Sequence, residues 1–206
     1  MSKSNAIKLL TLMSGKGLAE VPFTIQTAGG IDTFIWAGDP NANNNTQTYM
    51  YIGERNDATG VYRAVMHPDL SSIPAGAVNI SMALQLYNFQ DKSSNARTIS
   101  VYRLKVANTL SQVTWNVRVT GTAWTTAGGF NAAECEQTPI GSLSLSATES
   151  AGFKSISLTP TTKSGLDLGF GWLIKVDTET DDAYAYYSSE HTTAAERPKL
   201  TGSYFI

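Results

Sequence analysis

The sequence predicts an all-β fold of the sandwich or barrel type. One long stretch has apolar residues at every second position, and shorter stretches of the same kind follow one another between turn residues. In addition, no linker rich in Pro, Gly or Ser divides the 206 residues. We therefore expect one β domain with an N-terminal extension.

The longest predicted strand is Val78–Phe89. Apolar side chains alternate along its first part, so one face is expected to be buried. These apolar residues are Val78, Ile80, Met82, Leu84 and Leu86. The apolar positions then move to Tyr87 and Phe89, which indicates a β-bulge or burial of the other face. The preceding connector, Asp69–Gly76, has the composition of a compact turn, with Asp69 as its capping residue.

Other strands are predicted from the same alternation and from the turn residues between them. They are Phe23–Thr27, Thr33–Ala37, Thr48–Gly53, Val61–Met66, Thr98–Val106, Gln112–Val119, Ile140–Ser146, Gly152–Leu158, Gly169–Val176, Ala183–Ser188 and Lys199–Phe205. We assign residues 23–206 to the β domain.

Residues 1–22 differ from the rest and are assigned to an N-terminal arm or anchor. Their apolar side chains could line a short helix capped by Ser4 or Asn5, or belong to an extended arm that pairs with a neighbour. A partly ordered tail is the third alternative. Lys8 interrupts the apolar patch, which is too short for a signal peptide. The candidate anchor residues are Ile7, Leu9, Leu10, Leu12 and Met13.

Composition argues against several classes of partner. The formal net charge is −2, so the chain lacks the basic surface by which proteins bind nucleic acid. No apolar run approaches the roughly 20 residues of a membrane span. With Cys135 as its single cysteine, the chain cannot form an internal disulfide. We expect that thiol in an exposed or half-buried loop.

A series of short motifs runs in order along the chain. The motifs are Ile31–Ile35, Asp39–Asn43, Asp69–Ala77, Leu84–Tyr87, Val101–Arg103, Val113–Asn116, Ala123–Gly129, Gly169–Lys175, Ser188–Glu190 and Arg197–Leu200. The ordered series resembles the DNRLRE domain family and covers about residues 30–206. The chain departs from that family's usual pattern at His67-Pro68, Asn108 and Leu110, where an Arg-Phe pair, a Trp and a Glu are usual.

The resemblance implies a jelly-roll-like antiparallel β-sandwich without catalytic activity. Such domains are similar to a carbohydrate-binding module family attached to polysaccharide-degrading enzymes. They also occur in secreted surface proteins and in virus particles.

The residues themselves give little support for catalysis. His67 and His191 are the only histidines, and no Gly-x-Ser-x-Gly motif frames a serine. A serine triad is a spatial arrangement that sequence does not exclude, but two turn or surface histidines are the simpler interpretation. The acidic run Asp177–Asp182 is expected to form a solvated hairpin tip. We predict that the protein is not an enzyme and has no cofactor apart from a possible calcium ion.

A carbohydrate site is predicted around the Asn-rich loop 41–46. Aromatic rings can stack on sugar rings, while amides bond to hydroxyls. The candidates are Trp36, Asn41, Tyr49 and Tyr51. Alternatively, these aromatic side chains belong to the core or to cross-strand pairs, which is the usual position of Trp and Tyr on strands.

A calcium site is the second candidate site, because calcium takes six to eight oxygen ligands in irregular geometry. The candidate ligands are Asp32, Asn41, Asp69 and Glu190. Asp69 has the alternative role of capping the turn that follows it.

Two functional hypotheses follow. The first is a virion structural protein, such as a capsid decoration, head-fibre or tail component, bound to other capsid subunits or to itself through the arm. The second is a carbohydrate-binding module that recognises a polysaccharide. The expected location is the virion surface or, for the second hypothesis, outside the cell or on its surface.

Overall fold

The computed structural model describes residues 18–26, 29–55 and 60–206. Strands make up 44% of the described residues and helices 4%, which confirms the all-β prediction. The strands are β1 (Glu20–Ile25), β2 (Asp32–Trp36), β3 (Tyr49–Glu54), β4 (Val61–Met66), β5 (Val78–Asp91), β6 (Arg97–Arg103), β7 (Val117–Val119), β8 (Thr122–Ala123), β9 (Gly141–Leu145), β10 (Gly152–Leu158), β11 (Trp172–Val176), β12 (Ala183–Tyr187) and β13 (Lys199–Phe205). A one-turn helix, α1 (Lys163–Leu166), precedes β11.

Eight antiparallel strands close into a barrel. The order around the ring is β5, β10, β9, β6, β11, β4, β3 and β12, and β12 pairs again with β5. Outside this ring, β13 and then β1 extend from β5, β2 pairs with β4, and β7 and β8 form a separate hairpin. The predicted jelly-roll sandwich is not confirmed, because the pairing closes a ring.

The longest strand, β5, joins three parts of this arrangement. It pairs with β10, β12 and β13. Its alternating face is buried from Ile80 to Leu86, as the sequence predicts. Where β5 meets β12, Ala185 lies opposite Gln90 but Tyr186 lies opposite Asn88, so β5 contains one extra residue at Phe89. This register shift is the predicted bulge.

Val78 is the exception on the predicted buried face, because its side chain is 41% exposed. The register of β5 against β13 shifts between Ser203 and Phe205, so β5 contains an extra residue here as well. Asn79, next to Val78, has a φ of 50°, in the left-handed region that Asn tolerates. The extra residue disrupts the alternation and leaves Val78 in solvent.

The main core fills the barrel with the inward-facing side chains of its strands. Its largest fully buried members include Trp172, Tyr184 and Tyr186. The indole N–H of Trp172 donates to the carbonyl of Leu166 at 2.7 Å, which ties α1 to the barrel. Burial of such aromatic side chains is the main favourable term in folding.

A second apolar cluster lies on the other face of β2, β4 and β11. Alternate residues of these strands contribute Ile35, Val65 and Leu173, and the segment 104–135 supplies most of the remaining side chains. Cys135 is fully buried in this cluster rather than exposed or half-buried as predicted. Burial raises the pKa of its thiol to about 12, so the thiol is protonated at neutral pH.

Several predicted strands are longer than those observed; Gly169–Val176, for example, begins only at Trp172. The prediction Thr98–Val106 ends instead at Arg103, and Gln112–Val119 shrinks to Val117–Val119. Within residues 112–119, Val113 donates its N–H to the carbonyl of Thr109, which makes a turn where a strand was expected. The apolar residues of this stretch therefore did not indicate a strand.

The sheet begins earlier than the predicted domain boundary at residue 23. Strand β1 pairs with β13 from Glu20, and Pro22 lies opposite Ser203. Ala19 also exchanges two backbone hydrogen bonds with Ile206 at 3.1 Å each. In the described part of the chain β1 pairs with β13 alone, so it is an edge strand.

The acidic run before β12 is only partly the solvated tip that was predicted. Asp177 and Asp181 are exposed, but Asp182 is fully buried. Glu179 binds Arg63 through both carboxylate oxygens, at 2.8 and 2.7 Å. Burial acts to raise the pKa of Asp182, but hydrogen bonds from Ser94 and Asn95 and the charge of Arg97 outweigh it and lower that pKa.

We expect Asp182→Asn to lower the free energy of unfolding by about 2 kcal/mol at pH 7, because it leaves Arg97 without its charged partner. A lowered pKa gives stability above the ordinary value of 3.8, and this stability is lost as the pH falls. The difference between wild type and variant should therefore shrink as the pH falls from 7 towards 3. Urea denaturation across this range measures it. Asp181→Asn, at the exposed neighbour, is the matched control and should change little.

Candidate functional site

The three aromatic residues predicted to bind carbohydrate lie in one cluster of rings. Trp36 of β2 stacks on Tyr62 of β4, with centroids 5.2 Å apart. Tyr49 and Tyr51 of β3 lie 5.3 Å apart, and Tyr49 also stacks on Phe34 at 6.0 Å. The three predicted residues are half-buried and pack against the barrel core. They therefore have the structural role that the alternative interpretation assigned to them, with part of each side chain still reaching the surface.

The amides of the Asn-rich loop mostly bind the protein itself. Asn41 accepts a hydrogen bond on Oδ1 from the side chain of Asn116 at 3.0 Å. Asn44 donates to the carbonyl of Phe34 at 3.1 Å, next to the aromatic cluster. Asn41, a predicted sugar and calcium ligand, thus has a protein partner.

Asn43 fixes the loop to the segment that follows β6. Its Nδ2 donates to the carbonyls of Leu110 and Val113, at 2.8 and 2.7 Å. Its Oδ1 also accepts from the backbone N–H of Asn45 at 3.3 Å. Together these bonds place Asn45 beside the turn at residues 109–113.

An open cleft of about 420 Å³ lies between the loop and this turn. Its lining residues are Gly30, Asn45, His67, Asn108, Thr109, Leu110 and Ser111. None of them is acidic, and the imidazole of His67 is the only group that can be cationic. The cleft therefore offers hydrogen-bonding groups and little fixed charge.

His67 is oriented by Asn108 on one side of the cleft. Asn108 donates through Nδ2 to the carbonyl of Phe170 at 2.8 Å, so its Oδ1 faces His67 Nε2, also at 2.8 Å. An amide oxygen only accepts, so His67 must carry a proton on Nε2. In the neutral ring Nδ1 is then the acceptor.

The second histidine has different partners. His191 Nε2 lies 3.1 Å from a carboxylate oxygen of Glu196. Its ring stacks on Tyr187, with centroids 3.5 Å apart. His67 and His191 thus belong to two separate hydrogen-bonded groups, and neither is hydrogen-bonded to a serine hydroxyl of the described residues, as a triad requires.

Asp32 and Glu190 lie together behind the wall of the cleft that Gly30 forms. The N–H of Gly30 donates to Glu190 Oε1, and the N–H of Ser189 donates to Asp32 Oδ2 at 2.9 Å. Burial raises the pKa of Asp32 to about 7, the hydrogen bonds from Ser189 oppose this, and the charge of Glu190 adds to it. The structure therefore brings two of the four predicted calcium ligands close together.

The other two predicted ligands lie elsewhere. Asp69 is exposed and caps its turn by accepting from the N–H of Ser71 at 2.9 Å, which confirms the alternative role given above. Asn41 binds Asn116 in the Asn-rich loop. Within residues 18–26, 29–55 and 60–206, no group of three or more His, Cys, Asp or Glu side chains could hold a metal ion.

The predicted anchor residues are outside the described part of the chain. They are Ile7, Leu9, Leu10, Leu12 and Met13. Among the helices that the structure describes, none has the length and apolar character to cross a membrane.

A family model described as the disaggregatase related repeat domain matches residues 34–202. The chain belongs to the disaggregatase related repeat domain family. No curated protein matches the chain. The match spans β2 to β13 and includes every strand of the closed barrel.

The identification as a DNRLRE domain is wrong, because the family that matches is the disaggregatase related repeat. The resemblance was built from short motifs, most of which are turns and buried strands. Asp69–Gly76, for example, is a capped turn, and Leu84–Tyr87 belongs to a buried strand. Such segments serve the fold, so they are poor guides to one family among several with similar β domains.

Several residues of the cleft were missed by sequence reasoning. Asn45, Thr109 and Ser111 lie in irregular loops, where no periodic pattern marks a residue's surroundings. His67 and Asn108 were noted only as departures from the pattern of a family to which the chain does not belong, and this gave no valid signal of a site. The structure shows that these two residues are hydrogen-bonded to each other.

We expect Asn43→Ala to lower the free energy of unfolding by about 2 kcal/mol, because it leaves the carbonyls of Leu110 and Val113 without their donor. Asn45→Ala is the matched control, since Asn45 lines the cleft, and it should change stability by less than about 0.5 kcal/mol. Chemical denaturation of both variants measures the difference. Equal loss in both would mean that Asn43 does not secure the loop.

Proposed function

We propose that the protein is a non-catalytic binding module that recognises a neutral polysaccharide in the cleft between the Asn-rich loop and residues 108–111. The observation that carries this proposal is the lining of the cleft. Asn45, Thr109 and Ser111 bring an amide and two hydroxyls to one open surface, and His67, oriented by Asn108, adds an imidazole. Such groups both donate and accept, as sugar hydroxyls do.

The charge around the cleft favours a neutral ligand over an acidic one. Among the residues that the structure describes, no lysine or arginine lines it, so a uronate or sulfate would lack the cation that normally binds it. An acidic polysaccharide is therefore the less suitable partner.

The family description supports a recognition role. The family is described as a repeat domain, and repeated weak sites on one chain gain overall affinity because the second binding event becomes intramolecular. The same description relates the family to disaggregatases. We infer that in this chain the barrel recognises and attaches, without carrying out a reaction.

Affinity electrophoresis of the full chain in native gels tests this proposal. The gels contain neutral polysaccharides, namely a β-glucan, a galactomannan and a xyloglucan, or an acidic one, alginate. At least one neutral polymer should retard the wild type. The double variant Asn45→Ala/Thr109→Ala should weaken its binding at least tenfold, because two hydrogen bonds are worth about 1 kcal/mol each.

Ser72→Ala/Thr161→Ala, at two exposed positions away from the cleft, is the matched control and should be retarded like the wild type. Retardation of the cleft variant equal to that of the wild type would place binding elsewhere, and Tyr49→Ala then tests the aromatic cluster. Absence of retardation in every neutral polymer would contradict the proposal.

A virion structural protein attached through its N-terminal arm is the second candidate. One observation favours it: Leu18, Val78 and Ile206 are exposed apolar residues at one end of the sheet formed by β1, β13 and β5. Ala19 pairs with Ile206, and Phe205 pairs with Val78, so these side chains lie close to the point where residues 1–17 join the barrel. An apolar surface next to the arm suits attachment to another subunit.

Deletion of residues 1–17 should abolish incorporation of the chain into virus particles while the barrel keeps its melting temperature, because β1 begins only at Glu20. Mass spectrometry of purified particles measures incorporation. Deletion of residues 1–3, before the apolar stretch, is the control. Particles that still contain the shortened chain would contradict the anchor.

A further inference from the structure

One oxygen of a buried carboxylate has no hydrogen-bond partner in the described structure. Asp32 is 1% exposed, and its Oδ2 accepts from the N–H of Ser189 at 2.9 Å, but its Oδ1 accepts from nothing. A buried carboxylate without full compensation is costly, so native proteins pair it, protonate it or coordinate it to a metal. Asp32 requires one of these three solutions.

The neighbouring group is a second carboxylate. Glu190 is held against the start of β2 because the N–H of Gly30 donates to its Oε1. A Cβ atom added to Gly29 would lie 3.2 Å from this oxygen, and Gly29 has a φ of +53°, so the backbone there suits the close approach of the carboxylate. Two acidic side chains are thus held close together by bonds to the backbone.

No basic side chain of the described residues pairs with either acid. Among the described residues, the lysines, arginines and histidines that form ion pairs do so with other acids, namely Glu136, Glu149, Glu179, Asp182 and Glu196. The guanidinium nearest in sequence, that of Arg197, donates through Nε to the carbonyl of His191. The two remaining ways to compensate these carboxylates are a cation from solution and a proton shared between them.

We propose that Asp32 and Glu190 bind a hard divalent cation of the calcium type at the start of β2. Carboxylate oxygens are the ligands that calcium prefers, and its irregular geometry tolerates a site completed by water and neutral oxygens. The ion would satisfy Asp32 Oδ1 and remove the repulsion between the two acids. It would tie the strand start at Asp32 to the segment Ser189-Glu190, which lies 157 residues away along the chain.

This site does not depend on the proposed carbohydrate function, and its test contains no sugar. The full chain is freed of metal with EDTA, and its melting temperature and calorimetric titration are measured with CaCl₂ and with MgCl₂. Calcium at about 100 times its dissociation constant should raise the melting temperature by roughly 5–10 °C. Magnesium should have a smaller effect, because it demands regular octahedral geometry.

Asp32→Asn and Glu190→Gln should each weaken calcium binding at least tenfold. Asp69→Asn, which removes an exposed acid away from the pair, is the matched control and should keep the affinity of the wild type. Asn has the shape of a protonated Asp, so Asp32→Asn is expected to fold. If Asp32→Asn does not fold, the calcium affinity of Glu190→Gln, a change at a half-buried position, still tests the proposal.

The competing solution is a proton held by Asp32. In that case calcium and EDTA would leave the melting temperature of the wild type unchanged, and titration with CaCl₂ would release no heat. Either this result or a Glu190→Gln variant with unchanged calcium affinity would overturn the proposal.

Discussion

Antiparallel pairing along β5 is the constraint on which the rest of the structure depends. This strand bonds to β10, β12 and β13, and so it closes the ring and also carries the outer strands. A strand with three partners cannot slip by one residue without moving its apolar side chains from the core to solvent. The two extra residues near its ends allow β5 to pair in different registers with different partners.

The cleft shows how this framework positions residues that are far apart in sequence. Gly30 precedes β2, His67 follows β4, and Asn108 lies beyond β6. These strands are not consecutive in the chain, but β4 pairs with both β2 and β11, and β11 pairs with β6. The loops at these strand ends therefore meet on one side of the barrel, where Asn43 secures the loop that completes the cleft.

Sequence reasoning succeeded where a local pattern reflects burial. Val61–Met66, Gly152–Leu158 and Lys199–Phe205 were predicted with the bounds that the structure shows, because alternation along a strand depends only on its own residues. It failed for Val78, whose exposure follows from a bulge against a distant strand. It also failed for Cys135, which is buried where the largely irregular segment 104–135 packs on β2, β4 and β11. Closure of the ring depends on pairing between distant strands, which composition does not encode locally.

The position of Pro22 on β1 limits how a second copy of this barrel can add to the sheet. The free backbone N–H and C=O groups of an edge strand can hydrogen-bond to a strand of another sheet, but Pro22 has no N–H to donate. Eight of the other strands are closed into a ring, so each of these has a partner strand on both sides. Two barrels held at high local concentration therefore form no regular hydrogen-bonded pair through β1, and they stay separate folding units.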